Sequence, residues 1–144
     1  MADLSLPPVR SVSLLVVEDH VLIALDLENM LLDLGATQVS VANSVDQALQ
    51  LIATTAFDGA LLDVRLGGTA SLPVAIALRD AGIPFAFATG YNAAGMIPDE
   101  FRTQPVIPKP FQQQTLLQVL GMWGCLADGT SHQSRKPAGV SSSL

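Results

Sequence analysis

The chain has 144 residues, of which 49% are hydrophobic and 14% charged, with a formal net charge of −6. This supports one ordinary globular core, and charged or glycine residues interrupt every apolar stretch before bilayer length, with no basic-then-apolar start, so a cytoplasmic protein is expected. Lone Cys125 excludes an internal disulfide framework and leaves oxygen as the donor for any metal, while the acidic balance with scattered basic residues argues against nucleic acid and membrane partners.

Residues 1–11 contain Pro7 and Pro8 and no period, and are expected to form a flexible leader. The first strand is expected at Ser13–Val17, nearly all apolar, as a strand covered on both faces requires. A helix follows over Val21–Leu34, its polar stripe carried by Asp26, Asn29 and Asp33 and its stop by Gly35. The second strand, Gln38–Ala42, leads to Ser44 and Gln47, spaced as a capping box, and to a helix burying Val45, Ala48, Leu49 and Ile52. Gly59–Leu62 is the third strand, followed by a loop through Gly67 and Gly68 and a helix over Leu72–Asp80.

The fourth strand is expected at Pro84–Ala88 and the fifth at Pro105–Ile107, ahead of a last helix over Gln112–Leu126. Between them Gly95 and Pro98 penalise a helix interior, so the crossover helix there should be short or partly unravelled. Phe85, Phe87, Phe111 and Trp123 are expected in or at the edge of the core, with Phe57 and Phe101 partly exposed. Residues 127–144, rich in Ser, Lys, Pro and Gly, are expected to be a disordered tail. One domain over 12–126 remains. Strands alternating with helices imply an α/β fold, a doubly wound five-stranded parallel sheet for which 2-1-3-4-5 is a common order.

In such sheets ligands bind beyond the carboxyl ends of the strands. Those ends carry Glu18 and Asp19 after the first strand, Asp63 after the third, Thr89 after the fourth and Lys109 after the fifth. Crowded carboxylates repel one another and persist mainly where a divalent cation neutralises them, and oxygen ligands shared with a phosphate suit Mg²⁺. Beside such an ion a carboxylate can itself attack a phosphoryl donor, and Asp63, on the central strand, is the best placed. Thr89 and Lys109 would supply oriented donors for the phosphoryl oxygens.

Val16-Val17-Glu18-Asp19, Leu61-Leu62-Asp63, Ala88-Thr89-Gly90 and Lys109-Pro110-Phe111 together resemble the response-regulator receiver family, over about 12–126. The resemblance implies a flavodoxin-like receiver fold and Mg²⁺ held by Glu18, Asp19, Asp63 and the backbone carbonyl of Arg65. It further implies phosphoryl acceptance at Asp63 from a histidine kinase or phosphotransfer protein, stabilisation by Thr89 and Lys109, and output through a downstream protein or as a phosphate relay or sink. The stretch Pro84-Phe85-Ala86-Phe87-Ala88-Thr89-Gly90-Tyr91 is similar to the FAT GUY group of stand-alone receivers, several of which act in general stress signalling.

Departures from the usual pattern bear on switching. Val106 stands where an inward-swinging aromatic is common, which places the switch and partner surface at Tyr91, Val106, Pro110 and Phe111, with a second copy of the chain as an alternative partner. Two rival functions remain on the sequence alone. A phosphate-independent binding module of the same fold would not need the full acidic set. An aspartyl-phosphate phosphohydrolase would need a second acid two residues after Asp63, where Arg65 stands.

Overall fold

Short aliphatic runs can be covered on both faces only if helices return over each side of the sheet, and the chain does this in order. The structure is a computed structural model that describes residues 11–66, 69–90 and 97–125, the side chains of Leu66 and Thr69 excepted. Its main elements are β1 (Ser13–Val17), α1 (Val21–Asp33), β2 (Gln38–Ala42), α2 (Val45–Thr54), β3 (Gly59–Asp63), α3 (Leu72–Asp80), β4 (Phe85–Thr89), β5 (Val106–Pro108) and α4 (Gln113–Met122). All pairs of the five-stranded sheet are parallel and its order is 2-1-3-4-5, as expected. The leader, the tail, Gly67, Gly68 and the 91–96 segment with Tyr91 and Gly95 lie outside the described residues.

Side chains alternate between two cores, following the period of two along a strand. Leu15, Val17, Ala60, Leu62, Phe85 and Phe87 pack with α2 and α3. On the opposite face Leu14, Val16, Leu61, Ala86 and Ile107 pack with α1 and α4. Helix starts are fixed locally: His20 caps α1 by accepting from Ile23 N, and Ser44 caps α2 by accepting from Gln47 N at 3.1 Å. The second half of the expected capping box is displaced, because Gln47 Oε1 accepts from Asn43 N, one residue before the cap. The last helix stops at Met122, short of the expected Leu126, where Gly124 takes a positive φ of 71°.

Two expectations are corrected. The stretch after Asp63 is not a plain loop: Arg65–Leu66 and Thr69–Ala70 pair as a short antiparallel hairpin. Ser71 then ties the stretch down, its hydroxyl donating to Val64 O at 2.9 Å and its N–H to the same oxygen at 3.2 Å. Phe57 and Phe101 are buried, not partly exposed. Between β4 and β5 the described helical structure is a 3₁₀ turn, Asp99–Phe101. It carries the Phe101 ring into the core, edge-on to Phe85 at 5.8 Å and Phe87 at 6.2 Å, with the Arg79 guanidinium 5.4 Å from its centre. One aromatic ring from this turn thus completes the aromatic cluster of that core.

The amino ends of the strands are stapled together. Ser13 N donates to Asp58 Oδ2 and Asp58 N returns to Ser13 O, at 2.8 and 2.7 Å. Val12 N donates to Thr37 Oγ1 at 3.0 Å and Thr37 N to Val12 O at 2.8 Å. Trp123 lies directly on the backbone of Gly59, so a Cβ there would fall within the indole ring. Gly59→Ala should therefore cost about 1–3 kcal/mol by overpacking and push the ring outward. Urea unfolding followed by emission of this single tryptophan checks it: the expected result is a lower midpoint and a red-shifted folded-state spectrum.

Candidate functional site

The parallel register brings four strand tips to one rim. Glu18 and Asp19 follow β1, Asp63 ends β3, Thr89 ends β4 and Lys109 follows β5. Glu18 N is held by Ala42 O and Lys109 N by Thr89 O, each at 2.9 Å, so the side chains leave from fixed backbone positions. Glu18, Asp19 and Asp63 each offer a carboxylate oxygen within 4.8 Å of the others. Glu18 is only 3% exposed and Asp63 9%, whereas Asp19 is exposed.

Lys109 reaches across the rim into this group. Its Nζ donates to Glu18 Oε1 at 2.8 Å and lies 3.3 Å from Asp63 Oδ2. Glu18 Oε2 accepts from His20 N at 3.1 Å, and Asp63 Oδ1 from Arg65 N at 3.4 Å. Burial and then the charge of Glu18 push the Asp63 carboxyl up to about 6, against the opposing pull of Lys109. Burial acts to lower the pKa of Lys109, but its bonds to Glu18 and Asp63 outweigh that and leave the ammonium more firmly protonated than usual. The donor set is hard oxygen only, which fits a hard divalent cation.

Of the residues singled out from sequence, Glu18, Asp19, Asp63 and Lys109 come together here. Thr89 is buried beside them, its hydroxyl donating to Gly90 O at 3.0 Å rather than to an acid. Arg65 is exposed at the start of the hairpin. Of the surface residues, Val106 is exposed at the start of β5, Pro110 is exposed after a cis peptide bond, and Phe111 is half-buried against the α1 and α4 core. Tyr91 lies outside the described residues.

Two features were not anticipated. One is the direct pairing of Lys109 with Glu18. The other is the start of α1, where Val21, Leu22 and Leu25 are 72%, 69% and 50% exposed next to the acids. There a groove of about 220 Å³ runs between α1 and the tip of β2, lined by Asp19, Val21, Leu25, Glu28, Val41 and Asn43 among others. The signal was present in the sequence: α1 carries more aliphatic residues than one buried face can use, and only Ala24, Leu27 and Leu31 are buried.

A doubly wound sheet with acids and a lysine at its carboxyl rim defines a class of phosphoryl-handling α/β domains. Within that class, the chain belongs to the response regulator receiver domain family, which residues 14–121 match. It is similar to the solution structure of SdrG from Sphingomonas melonis Fr1, with 39% identity and a TM-score of 0.70, covering 78% of this chain and 96% of that one. The BeF3-activated conformation of SdrG from Pseudomonas melonis Fr1 is similar at 37% identity and TM-score 0.67, covering 79% and 96%. The PhyR stress response regulator is similar at 25% identity and TM-score 0.63, covering 78% of this chain and 44% of that one. No curated protein sequence matches. This membership sets the phosphohydrolase alternative aside: receivers of this kind are not classical enzymes. No helix among the described residues is long and apolar enough to cross a membrane.

The raised Asp63 has a stability consequence of definite sign. The folded state keeps this proton until about pH 6, whereas the unfolded chain releases it near 3.8, so folding loses stability as pH rises between those values. Asp63→Asn should therefore stabilise the metal-free protein by about 3 kcal/mol at pH 7.5, and by progressively less as pH falls below 6. Urea unfolding in chelator at pH 7.5 and 5 measures both. Equal gains at the two pH values would contradict the assignment.

Proposed function

We propose that this chain is a single-domain response regulator in which Asp63 accepts a phosphoryl group from a histidine kinase or phosphotransfer protein in the cytoplasm. The observation that carries the reading is the convergence of two carboxylates and one ammonium around a nearly buried aspartate, Asp63, at the tip of the central strand. Glu18, Asp19 and Asp63, with the backbone carbonyl of Arg65, would hold Mg²⁺. When bound, that ion supplies positive charge to the reacting phosphoryl oxygens.

The chain's own residues do the rest. An oxygen of Asp63 attacks the phosphorus of a phosphohistidine, an acyl phosphate forms, and the nitrogen–phosphorus bond breaks with the imidazole leaving. The Lys109 ammonium, already beside Asp63, pairs with the new phosphoryl oxygens. Thr89 must exchange its bond to Gly90 O for one to the phosphoryl group, and this exchange is the first step of the signal. Activation of the SdrG relative by BeF3, whose tetrahedral fluoride geometry resembles a phosphoryl group, supports the same reading for this chain.

The exposed aliphatic start of α1 supports docking of the donor, because an unburied apolar patch beside the chemistry is suited to contact with another protein. The stretch from Pro84 to Tyr91 supports a place in the FAT GUY group, and the similarity to SdrG and to the PhyR stress response regulator supports a role in stress signalling. Output passes through protein contact, or the chain acts as a phosphate relay or sink. Incubation with acetyl phosphate should label the protein only when Mg²⁺ is present, and Asp63→Asn should abolish labelling, read by intact mass and Phos-tag gels. Labelling that survives the substitution, or proceeds equally in chelator, overturns the proposal.

A further inference from the structure

We infer that a cavity between the start of α3 and the chain entering the 3₁₀ turn is a binding site for a compact apolar molecule, of xenon or short-alkane size, and that its occupancy is felt at the tip of β4. The cavity holds about 90 Å³. Val64 and Phe87 line it from the sheet, Ser71 and Ala75 from α3 and its cap, and Ile97 and Pro98 from the opposite side. It shares no residue with the acid cluster or with the α1 groove. The sequence accounts for the space. Ala75 and Ser71 are short side chains where α3 meets the sheet, and the Pro98 ring holds its wall rigidly at a φ of −62°. Phe87 is gripped edge-on by Phe85 at 5.5 Å and Phe101 at 6.2 Å, which keeps its ring from turning into the gap.

The lining decides the class of ligand. Its one polar side chain, Ser71, has both donors in use, the hydroxyl and the N–H each bonded to Val64 O at 2.9 and 3.2 Å. A water there lacks the two to four polar partners, roughly, that a buried water needs, whereas apolar cavities of about 150 Å³ take up benzene or xenon. This smaller space selects a ligand below ring size, which gains dispersion contacts with Phe87, Ile97 and Val64. Two links carry its presence to the rim. Phe87 and Thr89 are two residues apart on β4 and so share one face of the sheet. Val64 N donates to Ala88 O at 3.2 Å, which ties the second wall to the residue before Thr89. Close-packed interiors transmit such displacements. The bearing of this on signalling rests on the phosphoacceptor reading above; the binding does not.

Xenon is the probe, applied to the full chain at rising pressure and followed by methyl and amide NMR spectra. The methyl signals of Val64, Leu72 and Ile97 should shift saturably, and the Thr89 amide should follow with the same midpoint. Val21 and Leu25, in the α1 groove, should show only a small linear drift. No saturable shift at the cavity, or equal saturable shifts in the groove, would overturn the site. A Thr89 amide that stays fixed while the methyl signals saturate would overturn the link to the tip of β4. Ala75→Leu, which puts a side chain into the space, should abolish the saturable shifts while leaving the amides of α1 and α4 in place; shifts that persist in the folded variant would also overturn the site. The wild-type titration decides by itself if that variant does not fold. No step involves a phosphoryl group, so a chain that takes no label from acetyl phosphate would refute the phosphoacceptor reading and leave the xenon result standing.

Discussion

The structure turns on one electrostatic constraint: two carboxylates, Glu18 and Asp63, are nearly buried at the same end of the same sheet. Removing charge from water is costly, and placing like charges together adds to the cost. The chain meets this with one ammonium, delivered from the far strand to both acids. Every other feature of the rim serves that arrangement. The parallel register brings the tips level, the Glu18 N–H and Lys109 N–H bonds fix where the side chains depart, and the hairpin after Asp63 is tied to Val64 by Ser71. The site is therefore held in tension between repulsion and a single counter-charge, a state that a divalent cation relieves.

The same balance bears on the phosphoacceptor role proposed for Asp63. An aspartate left in water titrates low and is surrounded by solvent that competes for any acyl phosphate it forms. Asp63 instead sits where burial raises its pKa toward neutrality and where water has limited access. The instability this causes is local and modest, because the aromatic cluster of Phe85, Phe87 and Phe101 and the aliphatic layers below the rim supply the folding energy. Function and stability are thus assigned to different layers of the same strands.

Much of this could be read from the sequence, and for physical reasons. Strands such as Leu14–Val17 and Phe85–Ala88 are short, apolar and bounded by polar residues, and parallel topology leaves few ways to order them. Once the order is set, the residues after each strand must share a rim, which is why Glu18, Asp19, Asp63 and Lys109 were placed together correctly. Reading failed where the deciding interaction is non-local. Nothing near Phe101 in the chain announces that its ring will pack edge-on against Phe85 and Phe87, and nothing near Lys109 indicates that Glu18, 91 residues away, will hold it. Two-residue strands carry too little pattern to tell the Arg65–Ala70 hairpin from a loop. In α1 the polar stripe of Asp26, Asn29 and Asp33 was recognised, but an exposed aliphatic patch cannot be told from a buried one by period alone.

The stapling of the amino ends of the strands, opposite the rim, has a dynamic consequence. Reciprocal bonds between Ser13 and Asp58 and between Val12 and Thr37 close that end with short hydrogen bonds and a packed indole. At the other end Thr89 carries a hydroxyl whose only bond among the described residues is to its neighbour's carbonyl, worth on the order of 1 kcal/mol net. Fluctuations will therefore be unevenly distributed along each strand, with amides at the closed end released to solvent only by global opening and groups at the acidic end rearranging at far lower energy. The domain behaves like a tuning fork gripped at its base, free to respond only where its tines end.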